Sequence, residues 1–151
     1  MIEIFVDADA CPVKDEVYVV ATRLGVPVTL VANSRMHVPR DFGAELVVVG
    51  GAPDAADDWI AEHVEPGDVV VTADIPLAAR CLAKGASALG TDGRPFDEDS
   101  IGGALASRAL NQHLREAGVL AGGPRALSER DRSRFASRLD ALVQQAVRRA
   151  R

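Results

Sequence analysis

The sequence predicts an α/β fold: a central, mainly parallel sheet with helices on both faces, three layers in all, and a helical extension at the C-terminus. Three observations predict it. Short apolar runs, Ile4-Phe5-Val6, Val28-Thr29-Leu30-Val31, Leu46-Val47-Val48-Val49 and Val69-Val70-Val71, recur along the first part of the chain. They alternate with segments whose apolar residues repeat at helical spacing. Most of the runs are uniformly apolar rather than alternating, the pattern of strands buried on both faces of a parallel sheet.

Taken in order, the first strand ends at Asp7, and an acidic turn with Asp9 leads to Cys11-Pro12. Pro12 is expected to open an amphipathic helix through Val13, Val17, Val20, Ala21 and Leu24, ending near Gly25. After the second strand come Asn33-Ser34-Arg35 and a polar segment holding Pro39 and Gly43. Gly50-Gly51 closes the third strand, and Pro53 opens a helix from Asp54 to about Val64. Pro66-Gly67 marks a turn into a fourth strand, Asp68 to Thr72, ended by Ala73-Asp74. Pro76 lies in the first turn of the next helix, which runs to about Lys84-Gly85, and Ala86 to Leu89 reads as a short fifth strand. Thr91 to Asp99 is polar, with Gly93 and Pro95, and reads as a loop or a short hairpin. Ser100 is expected to cap a helix reaching Ala117, weakened by Gly102-Gly103 in its first turn. The division that follows is an α/β domain over 1–117, a linker over 118–127 carrying Gly122-Gly123-Pro124, and a final amphipathic helix over 128–151 packed on the same domain. Ser128 and Asp131 suggest a capping box for that helix, and Phe135, Leu139, Leu142, Val143 and Ala146 form its apolar stripe.

Composition narrows the function classes. The chain has 151 residues, enough for one domain with a real core, and 48% are apolar but only 4% aromatic, so that core must be mostly Ala, Val and Leu. No apolar run approaches the length needed to span a bilayer, and Glu3 and Asp7 stand where a signal peptide carries basic residues. Two cysteines do not make a disulfide framework, so a cytoplasmic protein is expected, with no membrane partner. The net charge of −5 is unevenly distributed: residues 121–151 carry eight arginines against three acids, a surplus of +5, which leaves −10 on the rest of the chain.

Four acids stand out. Asp7 ends a buried strand, Asp9 follows two residues later, Asp57 shares a helix face with Ile60, Ala61 and Val64, and Asp74 follows the fourth strand. A carboxylate on an apolar face is costly unless paired or bound to a cation. Acids converging from strand ends and a helix N-terminus suit a hard divalent ion such as Mg²⁺ or Mn²⁺. Each acid also has a plainer reading. Asp74 before Ile75-Pro76 reads equally as an N-cap, Asp9 as a brace for the turn, and Asp57 and Asp54 as partners of a helix dipole. Asp7 is the hardest to explain in that way.

These residues carry a resemblance. Ile4 to Lys14, Val31-Ala32-Asn33-Ser34, Ala55-Ala56-Asp57-Asp58-Trp59-Ile60, Val71-Thr72-Ala73-Asp74-Ile75-Pro76-Leu77-Ala78, Gly93-Arg94-Pro95-Phe96 and the Gly122-Gly123-Pro124 linker with its Phe135 helix resemble the YaiI/YqxD family along nearly the whole chain. That family is grouped with PIN-like nuclease domains, which are metal-dependent and usually act on RNA. The resemblance implies a three-layer PIN-like fold and a nuclease hydrolysing phosphodiester bonds. It implies catalytic Asp7, Asp9, Asp57 and Asp74, with Asp7, Asp57 and Asp74 holding Mg²⁺ or Mn²⁺. The Thr-x-Asp of the PIN pattern falls on Thr72-Ala73-Asp74. PIN domains often carry Ser or Thr where this chain has Asp9, a departure, and Asp92 and Asp97 are candidates for a further acid.

A nucleic acid, RNA first, is the implied partner. Lys14, Asn33 and Ser34 could contact its phosphates, and Arg130, Arg134 and Arg138, spaced by four on one helix face, could hold its backbone. Arg94 reads as a solvated loop residue. Two rivals remain. A haloacid-dehalogenase-like phosphatase would use Asp7 as nucleophile in Asp7-Ala8-Asp9, but its acidic pair should follow Thr72 and Lys84, whereas Asp57-Asp58 precedes them. A module that binds nucleic acid or a protein partner, its acidic pocket idle, is favoured by the basic tail and opposed by the converging carboxylates. Cys11 and Cys81 read as core thiols, Trp59 as a core anchor, and His37, His63 and His113 lack the spacing of zinc ligands.

Overall fold

The computed structural model of the chain describes residues 1–103 and 126–150. Six strands, β1 (Ile4–Asp7), β2 (Val28–Ala32), β3 (Glu45–Val48), β4 (Val69–Val71), β5 (Ser87–Leu89) and β6 (Pro95–Phe96), form one sheet in the order β3-β2-β1-β4-β5-β6. Every neighbouring pair is parallel except β5 and β6, which are antiparallel. The helices are α1 (Lys14–Leu24), α2 (Ala55–His63), α3 (Ile75–Ala83), α4, described over residues 98–103, and α5 (Glu129–Arg149).

The two-residue period of the strands sorts the core into two halves. Ile4, Val6, Leu30, Val69 and Val71 face α1 and α5, meeting Val17, Val20 and Ala21 of the first and Phe135, Leu139 and Val143 of the second. Phe5, Val31 and Val70 face the other way, onto Ala56 and Ile60 of α2 and Leu77 and Cys81 of α3. This is the expected three-layer arrangement with the C-terminal helix laid on the sheet. The apolar stripe of α5 is buried at Phe135, Leu139, Val143 and Ala146, with Leu142 at its margin. Its N-terminus is closed by the Ser128–Asp131 capping box.

Several boundaries differ from expectation, each for a local reason. α1 starts at Lys14 rather than Pro12, because Ala8–Ala10 forms a 3-10 turn after β1 and leaves Cys11 extended. β3 is the sheet's outer strand, so its residues are only partly covered and Val48 is 45% exposed. β4 is shorter than Asp68 to Thr72. Asp68 turns its carboxylate inward, accepting from the amides of Glu3 and Glu65 at 2.9 Å each. The polar stretch after Leu89 is a hairpin, closed where the Gly90 amide donates to the Arg94 carbonyl at 2.8 Å. Ser100 is not the cap of α4. Asp97 is: its Oδ1 accepts from the Ser100 amide at 2.7 Å, while Ser100 Oγ accepts from the Asp97 amide at 2.8 Å. The rest of the helix expected to reach Ala117, and the linker as far as residue 125, lie outside the described residues. No helix among the described residues is long and apolar enough to cross a membrane.

One topological feature positions the site. From β1 the chain builds β2 and β3 on one side, then returns through α2 to place β4 on the other side of β1. The connections therefore diverge between the carboxyl ends of β1 and β4, opening the crevice where open α/β sheets bind their ligands.

Candidate functional site

Asp7 is the last residue of β1 and Thr72 the first beyond β4, so the parallel pairing of those strands brings them together. Thr72 is 1% exposed. Its hydroxyl donates to Asp7 Oδ2 at 3.0 Å and accepts from the Asp74 amide at 2.9 Å. One small side chain thus fixes both the strand-end acid and the backbone that carries the next one. Asp74 is the N-cap of α3, its Oδ1 accepting from the Leu77 amide at 2.9 Å. The capping reading therefore holds. It does not use up the carboxylate, whose charge also raises the carboxyl of Asp57.

Asp57 comes to this place from the far layer. It lies in the first turn of α2, and Ile60 and Ala61, buried on the same helix face, seat that face on the sheet. Its neighbour Asp58 turns outward to Arg80 at 2.9 Å. The carboxyl of Asp57 is pushed up to about 6, first by burial and then by Asp74, Asp7 and Asp54. Asp7 is also raised, by burial foremost, with Asp74 and Asp9 adding to it against the lowering effect of the Thr72 hydroxyl. The largest contributions to the two shifts include no lysine or arginine; the charge of Arg80 reaches Asp57, but its guanidinium is engaged by Asp58. Three acids from three elements thus repel one another across a partly dry crevice, and Arg80, held by Asp58, leaves the carboxyl of Asp57 raised.

The other expected residues divide. Asp9 sits in the 3-10 turn and its Oδ2 accepts from the Asn33 amide at 2.8 Å, tying the β1 turn to the end of β2. Its brace role is what the geometry displays, although its charge still acts on Asp7. Asn33 Oδ1 is buried without a hydrogen-bond partner among the described residues, and Ser34 is exposed beside it. Lys14 folds back on the same turn, Nζ donating to the Cys11 carbonyl at 3.1 Å. Arg130, Arg134 and Arg138 are exposed along α5, with no contact to the acids. Asp92 and Asp97 are not brought to the site: the first holds the Arg94 amide at 3.0 Å and the second caps α4. Cys11 is buried and its thiol is pushed up to about 11 by that burial, which suits a core residue and not a nucleophile. A concavity of about 620 Å³ lies elsewhere, between α1 and α5, where Arg23 meets Asp140.

The family model described as "Uncharacterized BCR, YaiI/YqxD family" matches residues 5–145. The chain belongs to the YaiI/YqxD family. The UPF0178 protein of Rhodopseudomonas palustris is 58% identical over 146 residues, covering 97% of this chain and 92% of the relative. That of Rhodospirillum rubrum is 54% identical over 150 residues, 99% of each chain, and that of a Caulobacter species 53% identical over 148 residues, 98% of each. No solved structure matches the chain. The family match takes in Asp7, Asp57, Thr72 and Asp74, so the whole acidic crevice lies inside the region shared with the YaiI/YqxD proteins.

Thr72 is the residue whose role sequence reasoning missed. It was visible in Thr-x-Asp, but a threonine ending a valine strand reads first as a β-former. Only the β1–β4 register reveals that its hydroxyl joins Asp7 to Asp74.

Proposed function

We propose that this YaiI/YqxD protein is a metal-dependent nuclease that hydrolyses phosphodiester bonds, RNA being the first substrate to test. The observation that carries the reading is the meeting of Asp7, Asp57 and Asp74 at the topological switch point, with the carboxyls of Asp7 and Asp57 raised and the nearby Arg80 held by Asp58. The likeness of these positions to the PIN pattern supports it.

The donor set suits a hard cation. Among the described residues no group of three acidic, His or Cys side chains is gathered tightly enough to enclose a metal ion. Mg²⁺ does not require such a cage, since it keeps several waters and takes one or two carboxylates plus substrate phosphates. Asp57 and Asp74, the acid whose charge acts most strongly on it, are the natural pair, with Asp7 close enough to add to the shift of Asp57. When bound, Mg²⁺ or Mn²⁺ would polarise a phosphoryl oxygen and lower the pKa of an attacking water.

The remaining chemistry belongs to the chain itself. Thr72 orients Asp7, the Asp74 cap fixes α3 relative to β4, and Asp9 holds the β1 turn against Asn33. The phosphatase reading is weakened because Asp57, which precedes Thr72, is the acid that meets Asp7 and Asp74, while Asp92 and Asp97 serve local turns.

The test is cleavage of single-stranded RNA and DNA in Mn²⁺, Mg²⁺ or EDTA, wild type beside Asp7→Asn. The expected outcome is cleavage only with the metal and a loss of at least about a hundredfold in the variant, the scale of removing one strong electrostatic element from a catalytic site. Activity that survives both EDTA and the substitution excludes the mechanism. Strand binding without turnover in any metal would favour the binding module.

A further inference from the structure

The two flanks of α5 are electrically different. On the flank facing α1 the charges are paired. Arg132 Nη1 donates to the Pro12 carbonyl at 2.6 Å and lies 3.4 Å from Glu16 Oε1, and Asp140 meets Arg23. On the flank facing the β5–β6 hairpin they are not. Arg138 has no ion pair among the described residues and lines a shallow concavity of about 190 Å³ with Leu89, Pro95, Leu142 and Gln145. Among the described residues Arg134 has only a loose contact, 3.8 Å, with Asp131, a side chain that accepts from the Ser128 amide.

The hairpin adds a fourth arginine that sequence reading set aside. Gly93, at φ +87°, lies so close to the α5 backbone that a Cβ would stand 3.2 Å from Phe135 Cα and 3.3 Å from its amide nitrogen. Only glycine suits both the conformation and the approach. The turn is therefore seated on α5 at residues 134–135, and Arg94 emerges between that contact and Pro95, which shares the concavity with Arg138. Arg94 is 85% exposed and its partner Asp92, at 3.6 Å, is 54% exposed, a pair that water screens almost completely. Arg130 continues the row one turn toward the start of α5. Successive arginines on the helix lie about 6 Å apart along its axis, a spacing comparable to that of phosphates on an extended strand. The start of α5 is at the same sheet edge as the acids, since Arg132 reaches Pro12, just beyond the β1 turn.

We infer that Arg94, Arg134 and Arg138, extended by Arg130, form a track for the phosphate backbone of a single-stranded nucleic acid, leading toward the acidic crevice. The inference rests on the nuclease reading for its direction, but the binding it describes can be measured without turnover. An acidic body repels a polyanion, so the strand needs a place where positive charge is not already spent on internal partners. This flank supplies one, and it joins two elements, hairpin and helix, that only the fold brings together.

The experiment is fluorescence anisotropy of a labelled single-stranded RNA of mixed sequence, in EDTA, over a potassium chloride series. Wild type is compared with the triple variant Arg94→Gln, Arg134→Gln, Arg138→Gln. A matched triple, Arg23→Gln, Arg80→Gln, Arg149→Gln, carries the same charge change on other surfaces, and thermal melts establish that both are folded. The track variant is expected to bind at least tenfold more weakly, with its salt slope reduced by about 2, from about 0.7 per lost phosphate contact on a single strand. The matched triple should lose much less. Equal losses in the two variants, or an unchanged slope in the track variant, would overturn the inference. Metal-dependent cleavage that persists with an unchanged slope would refute the track and leave the nuclease reading standing. A track variant that loses binding while wild type cleaves nothing would do the reverse.

Discussion

Acids gather at both ends of β4, and the two ends treat them in opposite ways. At the amino end Asp68 is 6% exposed and each of its oxygens accepts a backbone amide, from Glu3 and from Glu65, at 2.9 Å. It joins the start of β1 to the turn before β4 and leaves neither oxygen unpartnered. At the carboxyl end Asp7, Asp57 and Asp74 face one another. Among the described residues, the donors that reach these acids are the Thr72 hydroxyl and the Leu77 amide. The difference separates a carboxylate that holds the fold from carboxylates held by it. An acid satisfied by amides stabilises, whereas acids pressed together cost stability until a cation or a proton intervenes.

The sharpest way to break this comparison is at the structural end. Asp68→Ala leaves two partly buried amides without acceptors, and hydrogen bonds to a charged group contribute about 1.5–3 kcal/mol each. A loss of about 3 kcal/mol is expected in urea unfolding, while Asp7→Ala should cost far less. If the two substitutions destabilise equally, the distinction between the two ends of β4 fails.

A smaller effect sharpens the other end through pH. Asp57 is raised from 3.8 to about 6 in the folded protein. Between those values the native state holds more protons than the unfolded chain, so stability falls as pH rises through the window. Below about 4 both states are protonated and the penalty is absent; above 6 it is complete. Because the side chain is only partly buried, water screens the effect, and about 1 kcal/mol is a fair expectation for the gain in Asp57→Asn at neutral pH. The gain should vanish near pH 4. A variant no more stable than wild type at pH 7, or equally favoured at both pH values, would show that the acids do not press on one another.

The sheet and the acids were legible in sequence for different reasons. Uniform valine runs announce buried parallel strands, and strand-end position together with a helix face singled out Asp7, Asp57 and Asp74. What escaped depends on non-local geometry. The order β3-β2-β1-β4 decides which strand ends are neighbours, and no local pattern encodes it. Thr72 and Asp68 look like strand termini until their partners, 65 residues away in both cases, are in place. The start of α1 was misjudged because Pro12 is a familiar helix opener, yet Asp9 binding the Asn33 amide holds a 3-10 turn ahead of it. The arginine spacing on α5 was visible, but not which flank meets its acids and which does not.

The measurement closest to the central claim is thermal stability against Mn²⁺ at pH 7, wild type beside Asp7→Asn. Without metal the variant should be at least as stable as wild type, since removing one charge relieves the repulsion among Asp7, Asp57 and Asp74. With Mn²⁺ the wild type should rise saturably, as a ligand that binds only the folded state requires, and the variant should rise far less, so that their order inverts. A wild type that Mn²⁺ does not stabilise, or a variant that responds to it equally, would contradict the assignment of these acids to a cation.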